Sequence, residues 1–116
     1  MLSYSKINPE KCEFVAIGLD TDLPDGKRIF VEIDGLPIVV FRVGGELFAI
    51  ADACSHDDGP LGDGELEGME IICPRHGARF DIRTGKVLSL PAVVAIPAYP
   101  VRVVDHQIEI GLPKVE

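Results

Sequence analysis

The chain has 116 residues, one domain's length, with 47% hydrophobic residues and 19 Asp+Glu against 11 Lys+Arg, a net charge of -8. So acidic a surface repels phosphate backbones, which excludes sequence-independent nucleic-acid binding. Three cysteines are too few for a disulfide scaffold; no apolar stretch approaches the roughly 20 residues of a membrane span, and Met1-Leu2-Ser3-Tyr4-Ser5-Lys6 lacks the charged start and apolar run of a secretory signal, so a soluble, cytoplasmic protein is expected.

Twelve glycines and nine prolines cut the chain into short pieces and leave no room for a long amphipathic helix. In chain order, Glu13–Ile17 reads as a strand, and Leu19–Pro24 as room for one helical turn. Arg28–Ile33 alternates Ile29, Val31 and Ile33 with more polar neighbours, as a half-buried strand does. Asp34-Gly35 suits a tight hairpin, because both residues tolerate positive φ. Leu36–Arg42 returns, with Pro37 near its start, and Gly44-Gly45 turns the chain again into Glu46–Ile50. These three strands form a meander. Beyond it, Met69–Ile72 and Ala78–Asp81 flank a polar loop, Thr84-Gly85 is a turn, and Val101–Val104 faces Gln107–Ile110 across Asp105-His106. The expectation is an all-β single domain, residues 1–116, built of small sheets with a long insertion from Cys54 to Leu90.

Two of the three cysteines and two of the three histidines fall in paired clusters, Cys54-Ser55-His56 and Cys73-Pro74-Arg75-His76, with the 16 residues Asp57 to Ile72 between them. Each cluster follows a strand, so each lies in a loop projecting from a sheet. Side by side, two such loops would bring two thiolates and two imidazoles to one point. Pro74 fixes φ, and Gly77 lets the backbone turn sharply behind His76. Zinc accepts a Cys2His2 set in tetrahedral geometry. Common zinc patterns, however, pair Cys with Cys in one arm and His with His in the other. An arm carrying one of each suits a two-iron cluster, in which the cysteines take one iron and the histidines the other.

The chain resembles the Rieske [2Fe-2S] proteins, whose signature is Cys-x-His followed, after a spacer of this order, by Cys-x-x-His. Here it reads Cys54-x-His56 and Cys73-Pro74-x-His76-Gly77, followed by Phe80-Asp81 and Thr84-Gly85. The likeness extends through the meander and through Leu90-Pro91 and Tyr99-Pro100-Val101, roughly Glu13 to Ile110. It implies a Rieske-like fold with a cluster-binding subdomain of about residues 51–92, and one [2Fe-2S] cluster held by Cys54, His56, Cys73 and His76. It further implies that Cys54 and Cys73 lie deeper, while His56 and His76 form the electron port.

Departures from the family pattern refine the expectation. Cytochrome bc Rieske proteins carry a further cysteine in each loop, joined as a disulfide; the matching positions here are Gly59 and Arg75, so that bridge is absent. They also place Ser and Tyr hydroxyls toward the cluster, where this chain has Ala78 and Phe80. Hydrogen bonds to sulfur stabilise the more negative, reduced state, so their loss implies a potential near the low end of the roughly -150 to +300 mV Rieske range. The resemblance therefore implies a soluble, monomeric electron carrier, not itself an enzyme. It would take single electrons from a flavin reductase that uses NAD(P)H and pass them to a terminal non-haem iron oxygenase, as ferredoxin components of bacterial aromatic-ring-hydroxylating systems do. The competing expectations are a Rieske-like small subunit of an assimilatory nitrite reductase, and a structural zinc module.

The remaining residues have plainer readings. Cys12 is expected to be an ordinary, partly buried thiol, and His106 a solvated turn residue. Asp57, Asp58, Asp63, Glu65, Glu67 and Glu70 crowd the segment between the two loops. They read either as a solvated surface or as a docking patch that speeds association with basic partners. The resemblance implies that Pro91 belongs to a loop covering the cluster.

Overall fold

The computed structural model describes residues 5–55, 57, 59–92 and 94–113. Twelve strands follow in order: β1 (Ser5–Lys6), β2 (Cys12–Leu19), β3 (Arg28–Ile33), β4 (Leu36–Val43), β5 (Glu46–Ala51), β6 (Leu66–Glu67), β7 (Glu70–Ile72), β8 (Arg79–Asp81), β9 (Val87–Ser89), β10 (Pro97–Tyr99), β11 (Val101–Val104) and β12 (Gln107–Pro113). The helical content among these residues is two 3-10 turns, Pro9–Lys11 and Asp20–Asp22. The second falls within the expected Leu19–Pro24 segment.

The meander forms as its turn residues dictate. Asp34 and Gly35 take φ of 51° and 79°, and Gly44 and Gly45 take 61° and 84°, the left-handed pairs that match the twist of adjoining strands. Asp105 and His106 do the same for the β11–β12 hairpin at 52° and 67°. Strands β3, β4 and β5 then pair antiparallel in a five-stranded sheet of order β1-β10-β5-β4-β3, in which β1 runs parallel to β10. A second sheet has order β11-β12-β2, and a third β6-β7-β8-β9.

The five-stranded sheet is the middle layer, because alternate residues of its strands join different cores. Val39, Phe41, Ile50 and Ala98 pack with Cys54, Leu61, Ile71, Cys73, Ala78, Phe80 and Ile82 of the site-bearing segment. Ile38, Val40, Ala49 and Tyr99 face the other way, onto Ile108, Ile110 and Leu112 of the three-stranded sheet. Each large side chain so buried contributes about 1.5–3 kcal/mol. The two cysteines of the paired clusters are thus built into the first core.

Four strands lie outside the sequence expectation: β1, β6, β9 and β10, each of two or three residues. Alternation cannot be recognised over so short a run, and these segments become strands only because a neighbour supplies hydrogen bonds. The segment read as a long insertion consequently carries its own four-stranded sheet.

Candidate metal centre

The first loop leaves β5 at Ala51. Asp52 Oδ1 accepts the backbone N–H groups of Leu61 (2.9 Å) and Gly62 (2.6 Å), and the Cys54 N–H donates to Gly59 O at 2.9 Å. A short polar residue at the strand end thereby folds the loop back on itself. From β3, Arg28 Nη1 reaches Gly64 O at 2.8 Å and ties the base of the loop to the meander. The second loop leaves β7 at Ile72. Cys73 N–H donates to Ala78 O at 2.7 Å and Gly77 N–H to Cys73 O at 3.0 Å, with Gly77 at φ 79°. Both loops are therefore closed by their own backbones and seated on strands.

These closures bring Cys54 and Cys73 together, at 0% and 2% exposure. Their Sγ atoms and a carboxylate oxygen of Asp57 all lie within 4.8 Å of one another. His76 stands on the same loop as Cys73, with its side chain 54% exposed and Nδ1 at 3.8 Å from Asp57 Oδ2. His56 lies outside the described residues, as does Asp58. Cys12 sits elsewhere, at the start of β2, buried against Gly111 with Sγ 3.3 Å from Asn8 O. His106 is exposed in the β11–β12 turn, as expected. None of the three cysteines is in a disulfide.

Arg75, which the sequence marks only as the position of an absent disulfide cysteine, is the partner of Asp57. Its Nε donates to Asp57 Oδ2 at 2.6 Å, its Nη2 to Asp57 Oδ1 at 2.8 Å, and its Nη1 to Pro60 O. One guanidinium therefore joins the second loop to the first. The Asp57 bond pushes its pKa further above the already high guanidinium value, against a smaller opposing effect of burial. A Cβ built on Gly59 would lie 2.7 Å from Arg75 Cζ, so these two positions face each other across the loops. Asp57 is accordingly no freely solvated member of the acidic set. Neither are Glu67 and Glu70, which share the Arg79 guanidinium at 2.9 and 3.3 Å. The signal in the sequence was opposite charge on two neighbouring loops, which carries no pairing information by itself.

Around the cysteines the surroundings are apolar: Ala78 and Phe80 are both at 0% exposure. The loop after β9 presents Leu90 at 75% and Val94 at 61% exposure, and Ser55 Oγ donates to Val94 O, holding that loop against the first one. A cavity of about 620 Å³ between Phe14, Phe48, Ile82 and Tyr99 contains none of the Cys or His residues above.

Comparison with known proteins bears directly on this geometry. A family model described as the Rieske [2Fe-2S] domain matches residues 13–100. The ferredoxin component of a naphthalene 1,2-dioxygenase/salicylate 5-hydroxylase system from Ralstonia sp is 39% identical over 87 residues, covering 75% of this chain and 84% of the relative. The ferredoxin subunit of 3-phenylpropionate/cinnamic acid dioxygenase from Escherichia coli (strain K12) is 41% identical over 97 residues, covering 82% and 90%. Among solved structures, a complex of reduced oxygenase and oxidized ferredoxin in carbazole 1,9a-dioxygenase contains a chain that superposes with a TM-score of 0.80. It is 30% identical, and the match covers 89% of this chain and 97% of that one.

The donor set fits the group this family carries. Two thiolates bound to one tetrahedral metal at about 2.3 Å stand about 3.8 Å apart, a spacing that two sulfurs already within 4.8 Å can meet without rebuilding the loops. His76 adds a borderline nitrogen donor at the exposed side. In fold, in matched length and in cofactor, one Rieske-type [2Fe-2S] cluster, the chain belongs to the Rieske [2Fe-2S] domain family.

Proposed function

We propose that this chain is a one-electron carrier in which Cys54 and Cys73 hold one iron of the cluster and His56 and His76 hold the other. When bound, the cluster supplies a centre that accepts and releases one electron. The observation that carries the reading is the meeting of two buried thiols from two separately closed loops, with the half-exposed His76 on the second of them.

The chain's own residues account for the rest. Burial of Cys54 and Cys73 among Leu61, Ile71, Ala78 and Phe80 keeps water from the sulfur side. The exposed His76 edge gives a partner a short approach, and Leu90 and Val94 offer it aliphatic surface. The relatives are themselves ferredoxin components, which supports a carrier rather than a catalyst. The partner receiving the electron is a terminal aromatic-ring-hydroxylating oxygenase, in line with the oxygenase–ferredoxin complex among the similar structures. The donor is a flavin reductase using NAD(P)H. Among the described residues no helix is long and apolar enough to cross a membrane; the location proposed is the cytoplasm, where thiols such as these three stay reduced.

The test is iron and inorganic sulfide analysis of anaerobically prepared protein, with low-temperature EPR after dithionite reduction. Two irons, two sulfides and a rhombic signal with average g below that of all-cysteine clusters are expected; absence of sulfide would overturn the reading. Loss of the rhombic signal in His76→Cys protein that keeps its iron would assign the histidine side.

A further inference from the structure

We infer that Arg75 and Asp57 form an electrostatic clasp that cross-links the two cysteine-bearing loops and holds beside the cluster two opposite charges, each shifting its potential in its own direction and nearly cancelling as a pair. The geometry shows a fork meeting a carboxylate on both of its oxygens, with a third donor on Pro60 O, so the contact fixes orientation as well as distance. The clasp spans the two loops at the point where Gly59 leaves room for it, because any side chain there would strike the guanidinium. Asp57's carboxylate lies within 4.8 Å of both sulfurs, and the charge of Arg75 interacts with both cysteines as well. Both side chains are only about one-quarter to one-third exposed, so solvent screens them incompletely.

The sign follows from electrostatics. Adding an electron makes the cluster more negative; a neighbouring guanidinium favours that state and raises the potential, while a neighbouring carboxylate opposes it. Together they nearly cancel. Separately each should move the potential in its own direction, which a merely structural pair would not do.

This inference rests on the cluster reading above, and the experiment separates the two. Parent protein, Arg75→Gln, Asp57→Asn and the double variant are prepared with the cluster loaded, assayed for iron and sulfide, and titrated by voltammetry. Arg75→Gln should weaken reduction about tenfold and Asp57→Asn should strengthen it about tenfold, each about 59 mV for a one-electron couple. The double variant, which removes both opposite charges at once, should return to within about threefold of the parent. Loaded single variants that stay unmoved, or that move in the same direction, would overturn the clasp and leave the cluster reading intact; a parent without iron or sulfide sinks the cluster reading itself. If Arg75→Gln fails to retain the cluster, Arg75→Lys decides, since it keeps the charge but not the fork. A potential within about threefold of the parent supports the charge role, and a tenfold fall overturns it.

Discussion

The carbonyl oxygen of Ile72 lies 1.8 Å from where a Cβ on Gly64 would stand. Ile72 directly precedes Cys73, and Gly64 closes the base of the first loop through its N–H to Leu61 O at 3.0 Å. A missing side chain in one loop therefore sets how closely the other loop may approach. Gly64→Ala forces backbone against backbone and should cost about 3 kcal/mol of stability, with loss of bound iron. Gly18, which has nothing within 4 Å of its would-be Cβ, supplies the control: Gly18→Ala should stay within about 0.5 kcal/mol. Urea denaturation and iron analysis compare the two, and a parent-like Gly64→Ala protein would contradict the packing account.

The hydroxyls missing at Ala78 and Phe80 make a second case. Both positions are fully buried beside the cysteines, and Ala78 already accepts the Cys73 N–H through its carbonyl oxygen. Ala78→Ser with Phe80→Tyr adds donors that favour the reduced state, and should raise the midpoint potential by roughly 100 mV within the wide Rieske span. Protein-film voltammetry reads it; an unchanged or lowered potential in fully loaded protein would refute this tuning.

The proposed docking surface includes the exposed aliphatic side chains of Leu90 and Val94. Replacing both by Ser should slow electron delivery to the oxygenase about tenfold at limiting concentration, mainly through faster dissociation. The potential should not move. Stopped-flow oxidation of the reduced protein checks the rate, and an unaltered rate would remove these residues from the docking surface.

Asp81 gives the acid limb of stability. Burial alone would raise its pKa, but hydrogen bonds from the Arg83 side chain and backbone, with the charges of Arg83 and Lys86, hold it below the usual carboxylate value. Because the folded value lies below the unfolded one, this contribution is complete above about pH 4 and disappears as the pH falls through the lower, folded value. Asp81→Asn should cost about 1 kcal/mol at neutral pH. It should also flatten the stability loss below about pH 4, which denaturation series at several pH values would show. An acid limb as steep as the parent's would assign it to other carboxylates.

Elements with a strong local signature were legible in the chain. The meander, both its turns and the terminal hairpin were, since alternation and the residues Asp34-Gly35, Gly44-Gly45 and Asp105-His106 act over a few residues. Likewise the spacing of Cys54 and Cys73 marked two loops, and the structure brings the two thiols together. His76 lies on the Cys73 loop with Nδ1 3.8 Å from Asp57 Oδ2, whereas the expectation for His56 falls outside the described residues. Strands β6, β9 and β10 carried no such signature, because two or three residues pair only where a neighbour is waiting.

Residue type and spacing by themselves determined which atoms could serve as donors and that they would sit on loops between short strands, because ligand chemistry and turn conformation are properties of single residues and their near neighbours. Only the tertiary structure decided that Asp57 belongs to Arg75 rather than to solvent, that Gly59 and Gly64 are empty because another loop passes there, and that the cysteines are sealed under the middle sheet. Those are contacts between segments far apart in the chain, and their distances are set by how three sheets pack, which no local pattern encodes.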